Sequence, residues 1–336
     1  VTTANPGNPF TQQRSFVEGA AVAVCPDIAV VTVSGPDRLT WLHSLITQDV
    51  LTLAPHETTE SLILDPNGRI EHAFLMSDDG ETTWLATDSD RAAGLAGWLE
   101  SMKFRMDVVV DVAGGGIVVA AHTPDALPAG ATIIWRDPWP NVSPGSAAYS
   151  TGDHPGVGWS LAYGRYPEGG LDIAALSTVD PGVLGALTIA AGRPTLADID
   201  QASLPHEYDW LRTAVHLNKG CYRGQETVAK VHNLGHPPRR LALLHLDGSG
   251  SVLPGAGDEV LLDGAVVGHV TRTAWHFELG PIALARLKRS ADPEADLVVR
   301  SGEAAVAASQ QVLVSPDAGR ARPRPALPRL TAAATD

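Results

Sequence analysis

The chain has 336 residues, 44% hydrophobic and 18% charged, with a formal net charge of −14. That length exceeds one compact core and points to two or three domains, while the acidic balance argues against wrapping a nucleic-acid backbone. With no run of about 18 apolar residues a membrane span is not expected, and two cysteines without Cys or His neighbours at zinc-finger spacing argue against a disulfide framework and a structural zinc site and suit a reducing, cytoplasmic compartment.

Residues 1–20 begin on Val1 rather than Met, as a trimmed chain would, and read as a flexible N-terminal segment. IAVVTVSG (28–35) is an apolar strand closed by Gly35-Pro36. PDRLTWLHSLIT (36–47) places Leu39, Leu42, Leu45 and Ile46 at helical spacing. Residues 58–88 read as a β-meander with turns at DPNG (65–68) and SDDG (77–80), and 90–104 as a second helix. In 106–122 the run Gly114-Gly115-Gly116 lacks the Lys-Ser/Thr of a phosphate loop and reads as a hairpin turn between two strands. Residues 123–187 are weakly patterned and are expected to hold the crossing between two domains. A helix over 182–194 ends at Gly192. Short strands at 239–248, 258–275 and 281–287 point to a small β-barrel or sandwich. The Pro- and Arg-rich tail 315–336 is expected to be disordered.

One of the two cysteines sits in LNKGCYRGQETVAK (217–230). Gly220 and Gly224 permit a tight turn, and GQETVAKV (224–231) reads as the start of a short helix or strand with Glu226 in its first turn. A helix N-terminus with Lys219 and Arg223 alongside would favour a thiolate at Cys221. An inert buried cysteine is the other reading, and no partner His is identifiable from spacing. His232 and His236 in HNLGH would share a helix face, but Gly235 and Pro237-Pro238 favour a loop, and no metal site is assigned.

KGCYRGQE (219–226) resembles the signature of the YgfZ-type folate-binding proteins, relatives of the glycine cleavage T-protein (aminomethyltransferase). VTVSGPDRLTWLHSLITQDV (31–50), LILDPNGRIEHAF (62–74), LTIAAGRPTLADID (187–200) and LPHEYDWLRTAVHLNKGCYRGQETVAKVHNLG (204–235) resemble further family landmarks in the same order, so the likeness spans roughly 20–290, loosely over 123–180. It implies an α+β, three-domain, clover-like T-protein fold with a central channel. The expected divisions are a first α+β domain over 21–135, a second over 136–236 and a C-terminal β-barrel over 237–314. It also implies tetrahydrofolate or a related reduced folate as cofactor, a role in assembling or repairing iron–sulfur enzymes, and iron–sulfur or cluster-assembly proteins as partners of a cytoplasmic monomer. Cys221 is then the functional thiol, and Lys219, Tyr222, Arg223, Gln225 and Glu226 of the motif bind the cofactor.

A pterin presents N–H donors that suit carboxylates, and its glutamyl tail suits Arg or Lys. Glu168, Glu207 and Asp49 are candidate acceptors, and Glu71 is a further cofactor-binding candidate. Glu168 could equally sit in a solvated turn, Glu207 could decorate a helix start, and Asp49 could cap a helix. Arg193 and Arg223 are candidate tail contacts or ordinary surface charges. The family pattern breaks at GRIEHAF (68–74): where aminomethyltransferases carry a catalytic aspartate, Glu71 and His72 stand here, which weakens aminomethyl transfer as a function. His72 reads more readily as a paired strand residue than as a base. Some members set Trp against the pterin, whereas this chain has Ile28 and Leu184 there, with Trp41, Trp159 and Trp210 as possible substitutes. A folate-dependent one-carbon transferase, and a binding scaffold with a structural Cys221, are the competing functions.

Overall fold

A computed structural model describes residues 7–150 and 154–321. The chain starts with helix α1 (Pro9–Val17) and strand β1 (Val22–Val24). Strand β2 (Ile28–Ser34), helix α2 (Arg38–Leu45), β3 (Thr58–Leu64), β4 (Ile70–Asp78), β5 (Thr82–Asp88), helix α3 (Ser89–Met102) and β6 (Val109–Val112) follow. These five strands make an antiparallel sheet in the order β3-β4-β5-β2-β6. Strands β7 (Gly116–Ala121), β8 (Ile133–Arg136), β9 (Ala162–Pro167) and β10 (Thr178–Val179) join β1 in a second sheet, ordered β10-β1-β7-β9-β8. Helices α4 (Val183–Ala190), α5 (Leu211–Ala214) and α6 (Gln225–Leu234) lead to β11 (Arg239–Leu246), β12 (Glu259–Leu262), β13 (Ala265–His276), β14 (Gly280–Lys288), β15 (Leu297–Ser301) and β16 (Ala304–Val312). Those six strands close a barrel in the order β11-β14-β13-β12-β15-β16. The three-part α+β architecture expected from the sequence is present.

Side-chain alternation along β3 shows how the parts are joined. Ile63 packs with Leu42, Ile46, Leu95 and Leu99 under α2 and α3. Its neighbours Leu62 and Leu64 point the other way, into a core shared with Trp210, Tyr222, Leu241 and Leu284. One strand therefore feeds both the first sheet's own core and the contact with the barrel. All three side chains are fully buried, each contributing on the order of 2 kcal/mol of apolar burial.

Several expectations are corrected. The segment read as flexible over 1–20 contains α1, because Asn8 caps it by accepting a hydrogen bond from Phe10 N and Pro9 presets its first turn. Phe16 is fully buried, and the Gln13 amide donates to Trp275 O on the barrel; residues 1–6 lie outside the described residues. The Gly114–Gly116 run is not a hairpin turn: β6 pairs with β2 in the first sheet and β7 with β1 and β9 in the second, so the crossing occurs here and not within 123–187. Because β1 precedes the first sheet yet belongs to the second, the two sheets interleave along the chain, and 21–135 and 136–236 are not separate units. His232 lies inside α6, not in a loop, since the helix ends only at Leu234. The stretch 315–321 of the expected disordered tail packs back, with Ser315 N donating to Tyr149 O and Ala321 N to His232 O; residues 322–336 lie outside the described residues. Strands β15 and β16 complete the barrel beyond the three segments read from sequence.

Arg239 of β11 ties the barrel to the segment before α5. Its guanidinium donates to both Glu207 oxygens at 3.0 and 2.7 Å and to Asp200 at 2.8 and 3.2 Å. Burial pushes the Asp200 carboxyl up, but hydrogen bonds from Arg239, Ser203 and Ala202 outweigh it and hold it well below the usual carboxylate range. A depressed carboxylate stabilises the fold above its unfolded value of about 4 and loses that contribution as pH falls toward its folded value. Acid unfolding of Asp200→Asn should thus show a shallower fall in stability below about pH 4 than the parent protein. Arg239→Ala, which strands the fully buried Glu207, should cost about 3–5 kcal/mol in denaturant melts at neutral pH; an unchanged midpoint would refute the assignment.

Candidate functional site

A two-chambered channel lies between the sheets and the start of α4. The inner chamber, about 110 Å3, is walled by Ala73, Leu75, Ala86 and Trp210. The outer chamber, about 540 Å3, is walled by Cys25, Asp27, Asp90, Leu184 and Arg272. Ile28, Asp88, Tyr163, Thr188 and Thr195 line both. Ile28 and Leu184, the residues noted where some relatives carry Trp, are therefore channel residues. Of the three possible substitutes, Trp210 lines the inner chamber, Trp41 is buried beneath α3, and Trp159 borders a separate groove.

Polar groups on the inner wall are mostly satisfied by one another. Arg193 donates to Glu60 at 2.6 Å and to Asp137 at 3.1 Å. Glu60 also accepts from Trp210 Nε1 at 2.8 Å and from the Thr213 hydroxyl, and Asp137 from Trp159 Nε1 at 2.9 Å. Arg272 is held by Asp198, the Thr188 hydroxyl and Arg193 O. Asp88 and Tyr163 differ, for neither side chain makes a hydrogen bond to another described residue. Burial, reinforced by Asp90 and Asp27, pushes the Asp88 carboxyl up, and burial pushes the Tyr163 hydroxyl up as well.

The Cys221 turn sits at the end of this channel's β4 wall. Glu71, Ala73 and Leu75 share one face of β4, with Glu71 about 7 Å along the strand from Ala73. Glu71 accepts from Arg223 at 2.8 Å, and the Arg223 guanidinium lies 5.9 Å from the Trp98 ring centre. The turn is clamped by two glycines in the left-handed region, Gly68 with φ 78° and Gly224 with φ 83°. A Cβ on Gly224 would meet Asp65 O at 2.6 Å and Gly68 Cα at 2.9 Å, and one on Gly68 would meet Thr227 Cβ at 2.8 Å. The β3–β4 turn and the first turn of α6 are thus in direct backbone contact.

Lys219 points away from the thiol. Its ammonium donates to His43 O, Ile46 O and Gln48 O, at 2.5, 2.7 and 3.0 Å, satisfying carbonyls left open at the C-terminus of α2. Burial pulls that ammonium down to about 8. Both cations flanking Cys221 in sequence are therefore engaged elsewhere. Cys221 itself is exposed, whereas Cys25 is buried, with its thiol pushed up to about 12 by burial.

The remaining sequence candidates scatter. Tyr222 is buried and borders a polar recess beside Gln225 and Asn218, and the Gln225 amide reaches Lys219 O at 3.4 Å. Glu226 is exposed on α6. Glu168 is exposed in the turn after β9, with its N–H donating to Gly115 O, so it belongs to a solvated turn. Glu207 is consumed by Arg239 and Asp49 by Leu51 N and the nearby His43, and neither lines the channel. Of the ten cofactor candidates only Arg193 lines it, and its guanidinium is committed to Glu60 and Asp137. Sequence reasoning missed Glu60, Asp88 and Tyr163. Glu60 carried a signal, an acidic residue within the buried strand TESLIL (59–64); Asp88 and Tyr163 carried none. Among the described residues no group of three or more His, Cys, Asp or Glu is placed to hold a metal ion, and no helix is long and apolar enough to cross a membrane.

Residues 239–315 match the glycine cleavage T-protein C-terminal barrel domain. The fold superposes on the solved glycine cleavage system aminomethyltransferase T from Bartonella henselae with a TM-score of 0.71, covering 92% of this chain and 89% of that one at 15% identity. The architecture is therefore the T-protein fold. A tRNA-modifying protein YgfZ from Klebsiella pneumoniae (strain 342) is 27% identical over 262 residues, 70% of this chain and 74% of its own. A mitochondrial iron–sulfur cluster assembly factor IBA57 homolog from Mycosarcoma maydis is 27% identical over 260 residues, 71% of this chain and 60% of its own length. In sequence the chain is similar to YgfZ and IBA57 proteins, and in fold to the glycine cleavage T-protein.

The contrast between the two thiols is testable. In the native protein a thiol-titrating reagent should modify Cys221 rapidly and Cys25 only after denaturation. Equal rates for both, or protection of Cys221, would contradict the geometry.

Proposed function

We propose that the protein is a tetrahydrofolate-binding accessory protein that supports assembly or repair of iron–sulfur enzymes, acting as a cytoplasmic monomer with Cys221 as its functional thiol. The observation that carries this reading is the exposed Cys221 in a rigid turn at the end of a channel wall. The names of the two relatives, one a tRNA-modifying protein and the other a cluster assembly factor, support the same direction.

The channel residues suit a reduced pterin. Its walls are apolar and aromatic, and Asp88 and the Tyr163 hydroxyl are left to accept from ring N–H and amino groups. Bound there, a reduced folate supplies an electron-rich ring that can carry a one-carbon unit. Asp88 would orient the ring, while Leu75, Ala86 and Trp210 exclude water around it. The one-carbon-transferase alternative is weaker, because Glu71, standing at the aspartate landmark, is bound to Arg223 instead of being open to an amine donor.

Cys221→Ala should abolish support of iron–sulfur enzyme activity in cells, most visibly under oxidative stress, while leaving the unfolding free energy within about 0.5 kcal/mol of the parent, as for any exposed side chain without partners. Full retention of enzyme activity would sink the thiol reading, and a large stability loss would instead make Cys221 structural. By calorimetry, tetrahydrofolate should bind Cys221→Ala as it binds the parent and bind Asp88→Asn about ten-fold or more weakly, the loss expected for one hydrogen bond to a charged group.

A further inference from the structure

The outer chamber is negatively charged where a folate would leave its tail. Asp27, Asp88 and Asp90 line it. Among the described residues the only cation on its wall is Arg272, which is paired with Asp198 at 2.9 Å. Arg91 stands 3.8 Å from Asp90 and offsets part of that charge. The repulsion among the acids registers on Asp88, whose carboxyl is pushed up by burial and then by Asp90 and Asp27, with Arg91 and Arg272 only partly opposing them. Among the described residues no lysine lines either chamber, and Arg193, inside, is spent on Glu60 and Asp137.

Desolvation sets the direction of a bound pterin. A flat ring belongs in the inner chamber with Trp210, Leu75 and Ala86, while a charged glutamyl tail must stay in the wetter outer chamber. The tail would then run past Asp27 and Asp90. Each added glutamate brings another carboxylate into that field, and a site can reject a ligand by like charge as effectively as it attracts one.

We infer that the outer chamber selects against anionic tails, so the channel takes a reduced pterin with a single glutamate or none in preference to its polyglutamylated forms. Asp27 and Asp90 are the specificity-determining residues, and the orphan hydroxyl of Tyr163 on the shared wall serves the ring. This rests on the folate reading proposed above, and it is opposite to what a folate site with a cationic mouth would do.

The test is calorimetric titration of the intact protein with three probes: a tail-free 6-methyltetrahydropterin, tetrahydrofolate with one glutamate, and tetrahydrofolate with five. The five-glutamate form is expected to bind at least about three-fold more weakly than the one-glutamate form at low salt, with the gap closing near 0.5 M salt as screening shortens the field. In the double variant Asp27→Asn with Asp90→Asn, both at exposed positions, the five-glutamate form should recover to within about two-fold of the one-glutamate form. Affinity that rises with tail length, or a gap insensitive to both salt and the double variant, overturns the inference while leaving folate binding intact. Failure of all three probes to bind overturns the folate reading and this inference with it. The salt series uses the unmodified protein, so the conclusion does not depend on the variant's folding.

Discussion

The buried carboxylate of Glu60 is the constraint around which the rest is arranged. It lies on β3 in the first sheet, and it is 3% exposed. Arg193 reaches it from the end of α4, Trp210 and Thr213 from around α5, and the same Arg193 extends to Asp137 at the end of the second sheet's β8. An isolated carboxylate could not survive there, because removing its partners would leave several kcal/mol of desolvation uncompensated. Four segments distant in sequence are thus obliged to converge on one point. The inner chamber exists because their convergence leaves a gap roofed by Trp210 and Ala73 and not a solid core.

That arrangement divides the molecule's chemistry in two. Inside, charges are matched almost completely, and among the described residues of the inner wall Asp88 and Tyr163 make no side-chain hydrogen bond. Outside, Cys221 stands in water with its two neighbouring cations turned away, Lys219 into the end of α2 and Arg223 onto Glu71. The basic residues of the motif serve architecture: Lys219 closes a helix end and Arg223 fastens the turn to β4. The thiol's availability comes from its exposure.

Much of the fold could be read from the sequence because its signals are local. The meander over 58–88, helix α3, the end of α4 at Gly192 and the first barrel strands all follow from periodicity and turn glycines. The misreadings share a cause, since each concerns which partner a segment finds. Gly114–Gly116 has the composition of a hairpin turn, yet its flanking strands pair with different sheets. Nothing between Val22 and Val24 announces that β1 will pair with β7 and β10 nearly a hundred and more than a hundred and fifty residues later. The site divided the same way. The motif around Cys221 was visible as a contiguous string, whereas Asp88 and Tyr163 acquire meaning only when β5 and β9 face one another across the channel. Glu207 and Lys219 looked like ligand contacts because a buried charge and a site charge are written with the same letters.

The backbone contact between Gly68 and Gly224 reaches beyond the site itself. Each glycine is needed because of the other's segment, so the DPNGR turn (65–69) and the CYRGQ turn (221–225) behave as two halves of a clasp. A graft of the cysteine motif alone onto another T-protein scaffold would therefore carry half the clasp, and would seat properly only where the recipient's own β3–β4 turn left room for it. The unit of engineering is the pair of turns.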